Sequence, residues 1–182
     1  MIEAVLDLPI FVLAMAGAFA LQGGLLLIDE FYFHRRRGLG LWERVGHPID
    51  NLLLFLPLFF AFFRAPDTDS ARWVYFGFSA LSCLLITKDE WIHTRECRAS
   101  ENWLHALLFV LHPVALGAAA WAWIQAGSSF RVALEGGALA GKVFAGQLLL
   151  MVLFFGYQVL AGIGLGIFAY PSRARVAHDL DS

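Results

Sequence analysis

The chain contains few charged residues and lacks several familiar signatures. Only 15% of its 182 residues are charged, whereas a soluble domain usually carries about 25%. The net charge of −2 gives no basic excess, so we expect no nucleic-acid partner. Two cysteines, Cys83 and Cys97, lie in or beside one predicted helix and do not suggest a disulfide framework. No Lys or Arg precedes the first apolar run, so we expect no cleaved signal peptide.

Long apolar runs dominate the rest of the sequence. Hydrophobic residues make up 59% of the chain and form five runs, each of which reaches the ~20 residues needed to cross a bilayer once its polar ends are included. We therefore predict an all-α integral membrane protein with a single domain, residues 1–182. The five transmembrane helices are expected at residues 10–34, 42–63, 73–95, 101–124 and 143–170, and a polar tail at 171–182.

The distribution of Lys and Arg predicts the orientation of these helices. Nine of the 13 basic residues fall on the side that holds the loop after the first helix and the C-terminal tail. Cytoplasmic loops carry such an excess. We therefore expect the N-terminus outside and the C-terminus in the cytoplasm, in a bacterial inner membrane.

Four of the six histidines follow a carboxylate by four residues. With 15 acidic residues in 182, chance would give this spacing to about one histidine in twelve. Positions i and i+4 lie on one face of a helix, so each pair offers an oxygen and a nitrogen in the same direction. The pairs fall on four successive helices, all at the same membrane side, and are Glu30–His34, Glu43–His47, Asp89–His93 and Glu101–His105.

These pairs predict that the first four helices form a metal-binding bundle. Carboxylates in hydrocarbon are costly unless they are paired or bind a cation, and we expect the nearby arginines to extend to the headgroups instead. Eight ligands are too many for one ion, so we predict two divalent ions, iron first, with zinc or manganese as alternatives. The predicted ligands are Glu30, His34, His47, Asp50, Glu90, His93, Glu101 and His105; additional candidates are Glu43, Asp89, Glu96 and His112.

Three points leave alternatives open. Pro48 suits a first helical turn, so the second helix begins either near Trp42 or at Pro48, and the later start would place Glu43 in a loop. Asp89 and Glu90 are adjacent and cannot both face the site equally, because neighbours differ by about 100° around a helix. We favour Glu90. His112, one heptad beyond His105 and followed by a proline, is either a hydrogen-bonded residue at a kink or part of a substrate cavity.

Part of the pattern resembles two classes of di-iron protein. Glu90-x2-His93 is similar to the Glu-x-x-His motif of ferritin-like di-iron carboxylate proteins. The placement of the site at the cytoplasmic helix ends resembles membrane desaturases and hydroxylases, although their His-x-x-His-His boxes are absent. By analogy, the resemblance implies a dimetal oxidoreductase.

Four functions are consistent with these residues. The first is a dimetal, di-iron oxidoreductase that acts on an apolar small molecule or lipid and receives electrons from a separate donor, since no nucleotide-binding motif is present. The second is a zinc-dependent membrane hydrolase, in which Glu43 acts as the acid or base. Metal transport is the third, and a haem-binding protein with two axial histidines is the fourth.

Overall fold

The computed structural model describes residues 9–90 and 97–164. Every element in these ranges is a helix. We label them α1 Ile10–Arg37, α2 Leu41–Phe63, α3 Asp69–Lys88, α4 Ala99–Ala126, α5 Phe130–Glu135 and α6 Leu139–Gly164. Two stretches are π-helical, Asp29–His34 within α1 and Gln158–Gly164 at the end of α6, and α3 ends in a 3-10 turn, Ile86–Asp89.

Five of these helices are long and apolar enough to cross a membrane, namely α1, α2, α3, α4 and α6. This confirms the prediction of an all-helical protein with five candidate membrane-spanning helices. The sides on which the two termini lie stay a prediction. Short α5 occupies part of the predicted loop between the fourth and fifth spans and is capped by Ser129, whose hydroxyl accepts a hydrogen bond from the Val132 amide.

Helix α2 begins at Leu41, so the alternative start at Pro48 is wrong. The Gly40 amide, one of the donors that a helix start leaves unpaired, donates to the Glu43 carboxylate at 3.2 Å. Glu43 therefore lies in the first turn, and Pro48 lies inside the helix.

The apolar core fills the end of the bundle away from the acid–histidine pairs. Its largest fully buried side chains are Trp123 near the end of α4, Tyr75 on α3, Phe130 on α5, Phe144 on α6 and Met15 on α1. The Phe130 and Phe144 rings stack at 3.8 Å. Tyr75 donates to the Leu116 carbonyl at 2.8 Å, which ties α3 to α4. The opposite end of the bundle is left for the polar residues.

Candidate metal centre

The polar cluster lies where three helix ends meet, at the C-terminal end of α1 and the N-terminal ends of α2 and α4. The chain reverses between α1 and α2 at Gly38, whose φ of 77° is in the left-handed region that glycine tolerates best. The Gly38 amide donates to the His34 carbonyl at 2.8 Å, which closes the end of α1. This turn places His34 beside His47 in the second turn of α2.

The π-helical stretch of α1 brings two adjacent carboxylates to one histidine. In a π-helix the spacing of the backbone hydrogen bonds lengthens from four to five residues. The residues four and five positions before His34 therefore both approach its ring. His34 Nε2 lies 3.2 Å from Asp29 Oδ2, and Nδ1 lies 3.5 Å from Glu30 Oε2. All three side chains are buried. Asp29 is thus a site residue that the i, i+4 search missed.

The first potential ligand group joins α1 to α4. It consists of Asp29, His34, Glu101 and His105, each of which offers one ligand atom within 4.8 Å of the others. His105 Nε2 lies 3.1 Å from Asp29 Oδ1. Asp29 therefore contacts His34 with one oxygen and His105 with the other.

The second potential ligand group joins α1 to α2. It consists of Glu30, His34 and His47, again with ligand atoms within 4.8 Å of one another. The His34 and His47 rings stack with centroids 4.6 Å apart. His34 belongs to both groups, and its two nitrogens face different carboxylates.

The surroundings of His34 are unusual for a buried imidazole. Its side chain is 1% exposed, and among the described residues neither ring nitrogen makes a hydrogen bond of acceptable geometry. Both nitrogens nevertheless lie close to carboxylate oxygens. Buried polar atoms normally have a hydrogen-bond partner. Nitrogen and oxygen atoms that converge without hydrogen-bond geometry are what a metal-binding site presents.

Arg37 neutralises part of the cluster, so the expectation that the nearby arginines extend to the headgroups is wrong for this residue. Its guanidinium holds both oxygens of Glu43, at 2.6 and 3.1 Å. Its Nε also donates to one oxygen of Glu101 at 3.0 Å. The bidentate pair is the strong form of an Arg–carboxylate contact, and it occupies both oxygens of Glu43.

The charge balance around the cluster is negative. Among the described residues the cluster contains four buried carboxylates, Asp29, Glu30, Glu43 and Glu101, and one largely buried guanidinium, that of Arg37, which pairs with Glu43 and Glu101. With neutral imidazoles this leaves three negative charges, which protons or bound cations must offset. The cluster also affects the segment between α3 and α4, where burial raises the pKa of the Cys97 thiol and the Glu101 carboxylate raises it further, against the opposing effect of Arg37.

Two of the other predicted ligands, Asp50 and Glu90, lie within the described residues and do not join these groups. Asp50 forms an ion pair with Lys88 at 2.6 Å, although it lines the same cavity as the ligands. Glu90 is exposed, so the preference for it over Asp89 finds no support. His93, Glu96 and the side chain of Asp89 lie outside what the structure describes.

His112 forms a separate buried polar contact deeper in the bundle. Its Nε2 lies 2.8 Å from the Ser82 hydroxyl, and its Nδ1 lies 3.3 Å from the Gln22 amide nitrogen. This agrees with the interpretation of a hydrogen-bonded histidine. It also lines the cavity beside the cluster, so the two interpretations of His112 are compatible.

A cavity of ≈ 120 Å³ adjoins both ligand groups. Its lining combines acidic and imidazole side chains of the two groups with apolar side chains that include Leu54, Leu108 and Phe109. A mainly apolar lining with a few converging polar groups is typical of a small-molecule site.

Comparison with other proteins adds no family to this description. No family model, curated protein or solved structure matches the chain.

Proposed function

We propose that the chain is a membrane-embedded dimetal oxidoreductase, with iron as the metal, that oxidises a lipid-soluble substrate. One observation carries the proposal: the fully buried imidazole of His34 directs each ring nitrogen at a different carboxylate, without hydrogen-bond geometry to either. Ionisable groups inside a membrane protein are costly and usually functional. Two cations would offset the excess negative charge, and ligation through both nitrogens of His34 would require the ring to release its N–H proton.

The two ligand groups divide the metals between them. Asp29, Glu101 and His105 would hold one ion with His34, and Glu30 and His47 would hold the other. The second group has three protein ligands, which leaves coordination positions open. Mixed nitrogen and oxygen ligation suits iron, manganese or zinc. Bound iron would supply the redox chemistry that couples oxidation of the substrate to reduction of dioxygen.

The remaining residues would shape the site around the metals. Arg37 fixes the orientation of Glu101 through one oxygen and leaves the other oxygen for the first group. The apolar side chains of the cavity exclude water and offer space to a hydrocarbon. Electrons would come from a separate donor, because the sequence contains no nucleotide-binding motif.

The hydrolase alternative receives less support from this geometry. Its proposed base, Glu43, has both oxygens held by the Arg37 guanidinium. Haem binding would leave the carboxylates beside His34 and His105 without a role. Metal transport fits poorly because both ligand groups lie at one end of the helices, whereas transport sites lie near the middle of the bilayer.

Metal stoichiometry tests the proposal. The full chain in detergent is reconstituted with ferrous iron without oxygen, desalted and analysed for metal per chain. We expect about two ions per chain, as in other two-metal sites, and oxygen consumption when a reductant and membrane lipid are added. One ion per chain, or the absorption band of a haem, would contradict the dimetal centre. If no metal binds, the cluster is a buried ion-pair network with protonated imidazoles.

A further inference from the structure

A groove runs along the bundle between α1 and α6. Two aromatic pairs connect these helices, Phe19–Phe144 with ring centroids 6.0 Å apart and Phe31–Tyr157 at 5.3 Å. Between the two pairs the helices border a space of ≈ 730 Å³. Twelve helical residues separate Phe19 from Phe31, so the groove is ~18 Å long. One leaflet of a bilayer has a hydrocarbon layer of similar depth, ~15 Å.

The lining of the groove matches a hydrocarbon. Most of it is aliphatic or aromatic, and Leu27, Leu150 and Leu153 are 49%, 63% and 60% exposed at its margins. Since α1 and α6 are candidate membrane-spanning helices, these margins open sideways to the bilayer. Lys142 is the one charged side chain among the described residues that line the groove, and it lies at the end far from the metal cluster.

The groove adjoins the cavity of the metal cluster. Five residues line both spaces: Gln22, Leu26, Asn51, Leu54 and Phe154. The two amides among them bind to the protein itself, because the Gln22 nitrogen contacts His112 at 3.3 Å and the Asn51 nitrogen donates to the Met151 carbonyl at 3.1 Å. The boundary between groove and cavity therefore presents mainly apolar surface.

We infer that the groove binds one acyl chain of a bilayer phospholipid, with the phosphate at Lys142 and the methyl end of the chain at the boundary with the metal cavity. Lys142 and Phe154 are twelve helical residues apart, ~18 Å, which is close to the depth of one leaflet, ~15 Å. The inference rests on the proposed function only where it makes the bound acyl chain the substrate.

Glycines in the groove wall allow it to be filled without disturbing the bundle. Gly23 on α1 and Gly146 on α6 both line it, and a Cβ at either position would meet no heavy atom within 4 Å. Leucine there extends into the groove and also favours the helix. Gly17 on α1 has equally open surroundings but is not among the lining residues, so Gly17→Leu is a matched control.

The test uses the full chain in vesicles that contain phosphatidylglycerol with a diazirine near the methyl end of one acyl chain. After illumination, mass spectrometry locates the label. We expect wild-type label on the peptides that contain Leu54 and Phe154. In Gly146→Leu, and independently in Gly23→Leu, this label should fall about tenfold, the effect of displacing about two methylenes. In Gly17→Leu it should be unchanged, and Lys142→Gln should weaken it.

Several outcomes would overturn the inference. These are label spread evenly over the lipid-facing helices, label that persists in both groove variants, or a chain cross-linked to a second copy at the groove with no lipid attached. Iron content is measured on the same samples. If the iron content stays near the wild-type value but the groove is not labelled, only the lipid site is rejected. If the groove is labelled but no iron is bound, only the proposed function is rejected.

Discussion

Replacing Asp29 by asparagine tests a candidate ligand that the structure places in the cluster and that the i, i+4 pattern did not identify. The change keeps the shape of the side chain but removes the carboxylate that contacts both His34 and His105. Because Asp29 belongs to only one of the two ligand groups, we expect iron to fall from two ions per chain to one. Glu90→Gln is the matched control, since Glu90 is an exposed acid that the sequence favoured as a ligand.

The size of the expected effect is expressed as the change in the free energy of unfolding. At free iron 100-fold above the dissociation constant, each independent site adds ~2.7 kcal/mol to the free energy of unfolding. Loss of one site then lowers the thermal midpoint by roughly 5–11 °C, at about 2–4 °C per kcal/mol for a chain of this size. The metal-free variant, measured with a chelator, sets the baseline for this difference, because asparagine also removes the contacts of the carboxylate with His34 and His105.

The assay is thermal unfolding in detergent, followed by intrinsic fluorescence, with and without a chelator. A metal-dependent loss of stability in Asp29→Asn together with an unchanged Glu90→Gln is the expected pair of results. The reasoning is refuted if Asp29→Asn keeps both ions and the full metal-dependent stabilisation, or if Glu90→Gln loses an ion.

Three further substitutions and one labelling experiment have distinct expected results. His34→Ala should abolish iron binding at both ligand groups, in elemental analysis, because His34 is the residue they share. Arg37→Met should lower the free energy of unfolding by ~3–5 kcal/mol with or without metal, as it leaves Glu43 buried and unpaired. His112→Ala should keep the iron but lose ~1–3 kcal/mol in the same unfolding assay through its broken hydrogen bonds. Maleimide labelling of Cys97 should be slow at neutral pH, because burial raises the pKa of this thiol and only the thiolate reacts. The labelling rate should still increase with pH above ~8.5, the ordinary pKa of a thiol.

Hydropathy and helical spacing predicted the broad plan of the molecule. Five runs of apolar residues are five helices of membrane-spanning length. The i, i+4 spacing identified Glu30, His34, His47, Glu101 and His105, which the structure brings together in two groups. Such patterns work because each depends only on the rise and repeat of a single helix.

Features that depend on contacts between helices could not be predicted in this way. Arg37 and Lys88 have long, flexible side chains, and the sequence does not show that they pair with Glu43 and Asp50. The inward position of Asp29 was missed for another reason. The i, i+4 spacing applies to an α-helix, and nothing in the local sequence indicates a π-helix.

The π-helical stretch also makes the length of α1 a functional parameter. A π-helical stretch fits one more residue between two fixed ends than an α-helix would. Deleting one residue between Glu30 and His34, such as Phe31 or Tyr32, would leave a shorter chain that can return to an ordinary α-helix. Asp29 and Glu30 would then lie four and three residues before the histidine, and an α-helix places both of these positions on the histidine's face. One inserted codon would thus set how the two carboxylates are rotated about the axis of α1 relative to His34, and the apolar scaffold around them would be unchanged.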